Sequence, residues 1–131
     1  MALSNGTGGY QVGAGATDEA IMFVQGAPTA LAAAATATAA QLQNGLFTFD
    51  GTAGNLTLPT VALLEAGIPS AEKVNSAFDF FIINTDGADS ITLAVGTGWT
   101  IVGAAAVTTA TSAHFRARKT GATTWTAYRI S

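Results

Sequence analysis

The sequence predicts an all-β fold: one antiparallel β-sandwich or jelly-roll-like domain over residues 29–131, with one short helix, behind an extended N-terminal arm over residues 1–28. Three observations carry that prediction. Beyond Ser76 every apolar run is short and is bounded by turn signals: Thr85-Asp86-Gly87, Gly96-Thr97-Gly98, Gly103 and Thr120-Gly121-Ala122. The large side chains cluster in Leu46 to Phe49, Phe78 to Ile83, Trp99 to Val102 and Trp125 to Ile130, while Ala, Thr and Gly fill much of the remainder. Between Ala2 and Gly15 only Leu3, Tyr10 and Val12 are large and apolar, too few to offset the entropy of ordering that backbone.

The elements follow in order. Asp18 and Glu19 precede Ile21, Met22, Phe23 and Val24, a run that Gly26 and Pro28 close, as in a short strand that pairs after docking on a partner. From Thr29 to Ala40 the chain is nearly all Ala and Thr. Ala favours helix, but Thr36 and Thr38 alternate with Ala at period two, which fits a strand whose small side chains admit a neighbouring chain closely. Thr38, Gln41 and Gly45 have the spacing of a capped helical turn. Leu46 starts a strand, Asp50-Gly51 turns it, and Asn55 to Pro59 forms another. Thr60 caps a helix Val61 to Ala66 that Gly67 ends and Pro69 keeps from resuming. The remaining strands are expected at residues 77–84, 90–95, 99–102, 105–110, 113–119 and 124–130, the last two as a hairpin. In that hairpin His114, Arg116 and Arg118 alternate with Ala113, Phe115 and Ala117, and Thr126, Tyr128 and Ile130 oppose Trp125, Ala127 and Arg129.

Composition narrows the chemistry. Of 131 residues only 10% are charged, against about 25% in ordinary soluble domains. Cysteine is absent, which excludes disulfides, thiolate metal sites and a Cys nucleophile. His114 is the single histidine, so no two-histidine metal site can be built, and its position among charged neighbours fits the solvent face of a strand. Asp50, Asp86 and Asp89 stand beside small turn residues, where Asp bonds its own backbone; Asp79, inside Phe78-Asp79-Phe80-Phe81, is placed to pair with a late Arg across the sheet or an interface. The glycine clusters at Gly6 to Gly9 and Gly13 to Gly15 lack the Lys-Ser/Thr of a phosphate loop, and the sequons at Asn5 and Asn55 have no secretion signal before them. No metal, cofactor or catalytic residue is therefore expected.

The net charge is −3, and four of the five basic residues, Arg116, Arg118, Lys119 and Arg129, fall in the last sixteen positions. Four cations neutralise little backbone phosphate, so no nucleic-acid partner is expected. No run approaches the roughly 18 apolar residues of a membrane span, and no signal peptide is recognisable, so the expectation is a cytoplasmically made protein without a membrane partner. Large groups on both sides of Thr124 to Ile130 imply a core side and a partner side, giving Ile21, Phe23, Trp125, Tyr128, Arg116 and Arg118 as candidate interface residues. Trp99, Trp125 and Tyr128 offer the alternative of a sugar-stacking platform.

A longer pattern runs from about Thr36 to Ser131: Ala39-Ala40-Gln41-Leu42, Asn44-Gly45-Leu46, Leu58-Pro59-Thr60, Ser76-Ala77-Phe78-Asp79-Phe80, Ile83-Asn84-Thr85, Ile91-Thr92-Leu93, Gly96-Thr97-Gly98-Trp99-Thr100-Ile101-Val102-Gly103, Phe115-Arg116-Ala117-Arg118 and Thr126-Ala127-Tyr128-Arg129-Ile130. In these segments the chain resembles small structural proteins of tailed bacteriophage particles. The resemblance implies a β-rich virion protein that assembles as an oligomer, often a homotrimer, on a head or tail. From it we expect a capsid decoration protein bound to the major capsid protein or other virion proteins, with a tail or fibre-associated protein, or a carbohydrate-binding receptor module, as alternatives.

Overall fold

The structure is a computed structural model that describes residues 22–131 together with the strands Leu3–Ser4 and Tyr10–Gln11. Those two strands, β1 and β2, pair antiparallel within the stretch expected to hold no structure of its own. The rest is built from β3 (Thr29–Leu31), β4 (Ala35–Thr36), α1 (Ala39–Asn44), β5 (Leu46–Phe49), β6 (Gly54–Thr57), α2 (Val61–Gly67), a 3-10 turn (Pro69–Glu72), β7 (Ala77–Asn84), β8 (Ile91–Ala94), β9 (Trp99–Val102), β10 (Ala106–Val107), β11 (Ser112–Gly121) and β12 (Thr124–Arg129). The β-rich class and the strand positions beyond Ser76 agree with the sequence. Met22 to Val24 form no strand; Ile21 lies outside the described residues.

Both helices begin as expected. Thr38 Oγ1 accepts from the Gln41 amide at 3.2 Å while Gln41 Oε1 accepts from the Thr38 amide at 3.0 Å, a reciprocal cap that Gly45 closes at φ 78°. Thr60 Oγ1 accepts from the Leu63 amide at 3.2 Å, and Pro69 opens the 3-10 turn after α2.

The strands form a six-stranded sheet, β3-β5-β7-β11-β12-β9, and a four-stranded sheet, β10-β8-β6-β4. From β3 to β10 the chain alternates between them, so consecutive strands are never hairpin partners. Three successive two-strand coils, β3-β4, β5-β6 and β7-β8, stack so that β3, β5 and β7 run parallel in one sheet and β4, β6 and β8 run parallel in the other. Antiparallel pairing is confined to β7/β11, β11/β12, β8/β10 and β1/β2, while β9 and β12 are parallel. Parallel pairing was not expected. Its physical reason lies at the corners, where Asp50-Gly51 and Thr85-Asp86 turn the chain from one sheet to the other instead of folding it back.

Backbone bonds join the stacked corners: Asp50 N to Leu31 O (3.0 Å), Thr52 N to Ala32 O (2.9 Å) and Thr85 N to Phe49 O (2.9 Å). A Cβ on Gly51 would collide with the Ala32 backbone, and one on Gly54 would lie 2.8 Å from the Ala34 amide nitrogen. The small residues of the Ala-rich run thus admit the next coil of the same chain. Buried Asn84 pins the third corner, donating to Asp89 O (2.9 Å) and Val107 O (3.0 Å) and accepting from the Asp86 amide (2.9 Å).

Both sheets bury their inward residues in one core. Phe47, Phe49, Phe80 and Phe115 come from the larger sheet, Leu56, Ile91 and Leu93 from the smaller, and Leu42 and Leu64 from the helices. Phe80 stacks on Phe115 at 5.3 Å, and Trp125 lies between Phe78 at 5.6 Å and Trp99 at 5.7 Å. Lys119 shares this inward side. Its ammonium is buried against the Glu65 carboxylate of α2 and donates to Ala122 O at 3.1 Å; Trp125 Nε1 donates to the same carboxylate oxygen at 2.9 Å. The Lys119 contact, then the Trp125 contact, hold the Glu65 carboxyl below its ordinary pKa.

That node fixes α2 to the β11–β12 hairpin. Glu65→Ala strands a buried cation and is expected to cost about 3 kcal/mol in urea denaturation, with most of the loss recovered in the Glu65→Leu/Lys119→Met double variant.

Candidate interaction surface

Alternation along β7, β11 and β12 turns every second side chain away from the core. The register lines them up in rows across the six-stranded sheet. Leu46 of β5 is opposite Phe81 of β7, which is opposite His114 of β11; the His114 carbonyl accepts from the Ile130 amide at 2.8 Å. The next row holds Asp79, Arg116, Tyr128 and Val102, and the one beyond it Ala77, Arg118, Thr126 and Thr100. An apolar stripe therefore lies beside an ionic one on the outer face.

The ionic row is pre-organised. Arg116 grips Asp79 with two hydrogen bonds, Nε to Oδ1 at 2.6 Å and Nη2 to Oδ2 at 2.9 Å. This realises the expected cross-sheet pairing of Asp79 with a late arginine. Arg118 donates to the Tyr128 hydroxyl at 2.9 and 3.3 Å and to Asn75 Oδ1 at 2.7 Å. His114 stacks on Phe81 with ring centres 4.4 Å apart. Its Nε2 lies 3.1 Å from Asp79 Oδ2, a close but poorly aligned contact that leaves this buried nitrogen without a true hydrogen bond. The Arg116 bonds, followed by the approach of His114, lower the Asp79 pKa, and Asp79 in turn raises that of Arg116.

The apolar row is exposed. Phe81 retains 42% and Ile83, one strand step further, 38% of its accessible surface, and Ile130 is about half exposed, as is Val102 at the end of the ionic row. Beside Leu46, Phe81, Ile83 and His114 the surface dips into an open groove of about 350 Å³. A larger concavity of about 600 Å³ lies between α2 and the turns before β9 and β12, lined mainly by Thr60, Val61, Thr97, Gly98 and Thr123.

Arg116, Arg118 and Tyr128 of the expected interface set share this outer face. Trp125 does not: it is fully buried, because its register partner Lys119 and its neighbours Phe78 and Trp99 all lie on the inward side, so it serves the core and not a partner. The sugar-stacking platform of Trp99, Trp125 and Tyr128 does not form, since both tryptophans are buried and Tyr128 faces the other way. Phe23 is exposed, but in irregular backbone. Sequence reasoning missed Phe81, Ile83 and Leu46. Period-two alternation from Asp79 would have placed Phe81 and Ile83 on the same side.

The late basic residues are engaged internally: Arg116 with Asp79, Lys119 with Glu65, Arg118 with Asn75 and Tyr128, and Arg129 with the carbonyls of Ala104, Ala106 and Ser131. Asp86 serves its turn, accepting from the amides of Ala88 (2.7 Å), Asp89 (2.8 Å) and Gly51 (3.0 Å), which lowers its pKa. Among the described residues no three His, Asp or Glu side chains gather as a metal site, and no helix is long and apolar enough to cross a membrane. No protein-family model matches the chain, and neither a curated protein nor a solved structure matches it.

The Asp79 carboxyl has a lowered pKa in the folded chain, so its contribution to stability is complete above the unfolded value of about 4 and is lost as pH falls through the folded value. Asp79→Asn is expected to lower the urea midpoint at neutral pH, and the gap from wild type is expected to close as pH drops below about 4. A gap that is constant with pH would contradict the assignment.

Proposed function

We propose that the chain is a structural protein of a bacteriophage particle, most specifically a capsid decoration protein that binds the major capsid protein and reinforces the head. The observation that carries the reading is the outer face of the six-stranded sheet, where exposed Phe81 and Ile130 share a row with half-buried Leu46 and His114 beside the internally neutralised Asp79–Arg116 pair. Such a face binds protein with little cost for desolvating lone ions. The resemblance over residues 36–131 supplies the virion setting. In this reading the two sheets closed on one core act as a jelly-roll-like sandwich body, and residues 1–28 are the arm by which it reaches a neighbour or the shell. Internal pairing of Arg116, Arg118, Lys119 and Arg129 favours a protein partner over nucleic acid.

A decoration protein binds many equivalent sites, so modest individual contacts add up to a stabilised shell. We further propose that it does so as a homotrimer, without catalytic activity and without a bound metal or cofactor. A tail or fibre-associated position is the second reading, favoured by the same exposed face if it packs along a shaft.

Particles stripped of the protein are expected to lose survival after heating or osmotic shock while still adsorbing to host cells, and re-addition is expected to restore survival. Lost adsorption from shells of unchanged stability would place the protein on the tail instead. Light scattering of the purified chain is expected to give three times the monomer mass, and elemental analysis no stoichiometric metal.

A further inference from the structure

We propose that the concavity between α2 and the turns before β9 and β12 binds a neutral saccharide, anchored by the Glu65 carboxylate and a rim of threonines. The inference is independent of where on a particle the protein sits. At about 600 Å³ the space falls within the roughly 300–1,000 Å³ of small-ligand sites, and its walls are tied to one another within the chain. The Val61 amide donates to Thr97 O at 3.0 Å, the Trp125 amide donates to Gly98 O at 2.9 Å, and the hydroxyls of Thr120 and Thr124 share a hydrogen bond of 3.0 Å. The site is therefore built before a ligand arrives.

Glu65 supplies the polar anchor. Its side chain lines the concavity and keeps 20% of its surface. Lys119 Nζ and Trp125 Nε1 both donate to Oε2, so among the described residues Oε1 is the acceptor that the carboxylate offers to the open space. The same two bonds lower the Glu65 pKa and keep the group ionised at neutral pH. A matched apolar pair would hold α2 to the hairpin about as well. What the ion pair adds is a fixed acceptor on the wall of a concavity.

The surroundings select the class of ligand. Lys119 balances Glu65, and among the described residues no other charged side chain lines the space. A ligand anion would meet the carboxylate, and a ligand cation would compete with the Lys119 ammonium for it. A neutral hydroxyl donates to Oε1 without either cost. Around it Thr60, Thr97 and Thr123 bring hydroxyls that both donate and accept, set beside their own methyl groups and the apolar side chains of Val61 and Ala62. Hydroxyls interleaved with C–H groups are the matching surface of a sugar ring, and recognition of this kind needs no aromatic platform.

Because the Trp125 indole shares the Glu65 carboxylate, its N–H signal in nuclear magnetic resonance spectra reports on the site. The isotopically labelled full chain is titrated with methyl glucoside, methyl mannoside and methyl galactoside to about 50 mM, well above the roughly 1 mM dissociation constant of a weak site. At least one glycoside is expected to move the Trp125 indole signal and the amide signals of Thr97, Gly98 and Thr123 saturably, with those of Phe81 and Arg116 on the outer face unmoved. The amino-sugar and uronic-acid counterparts of that glycoside are expected to bind at least about ten-fold more weakly. Ala62→Arg, at an exposed position on the wall of the concavity, is expected to weaken binding by a similar factor while leaving the spectrum of the outer face unchanged. No saturable movement with any of the glycosides, equal or tighter binding of a charged counterpart, or an affinity unchanged in Ala62→Arg overturns the proposal.

Discussion

Everything in this fold depends on how closely three corners of the chain approach one another. Where β3 gives way to β4, β5 to β6 and β7 to β8, successive turns lie backbone to backbone, with Ala32 under Gly51 and Thr85 against Phe49. A side chain at Gly51 would force the second coil off the first. With the corners stacked, each coil extends two parallel ladders at once, and Asp86 links the third corner to the second through the Gly51 amide. Scarce charge and abundant Ala, Thr and Gly are what such stacking needs, because bulky or ionic groups at the corners would have to be desolvated against backbone.

The same winding creates the outer face. β7 sits between a parallel neighbour, β5, and an antiparallel one, β11, and both registers place outward residues directly opposite one another. Leu46, Phe81 and His114 therefore line up across three strands although they come from distant parts of the sequence. Cross-strand pairing then sets the chemistry of each row, aromatic on imidazole in one and guanidinium on carboxylate in the next. The inward side of β11 follows the opposite rule. There Lys119 occupies a position in line with Phe115 and Ala117, and is tolerated because Glu65 reaches in from α2.

Most strands were legible from local punctuation, and their partners were not. Asp50-Gly51 and Thr85-Asp86-Gly87 meet the same backbone demands in a hairpin and in a corner between sheets, so turn chemistry alone cannot distinguish the two. What decides is non-local: the presence of Ala32 beneath Gly51. The caps at Thr38 and Thr60 were readable because capping involves only the next three residues. Met22 to Val24 have the composition of a strand, yet no ladder forms without a neighbouring edge. Trp125 and Tyr128 were correctly separated onto opposite sides, but periodicity does not say which side is inward. That answer was latent in β11, where Ala113, Phe115 and Ala117 mark the core side and carry Lys119, and through it Trp125, inward with them.

A body of this kind leaves its surface to do something other than hold the fold. Arg116, Arg118 and Arg129 are tethered by carboxylate, amide, hydroxyl and carbonyl partners from the same chain, so little of their conformational freedom remains to be lost when another surface meets them. The apolar stripe beside them is short of partners in the same measure that the arginines are supplied. Rigid polar groups fix orientation and an open apolar strip supplies the driving force, a division found at protein interfaces generally.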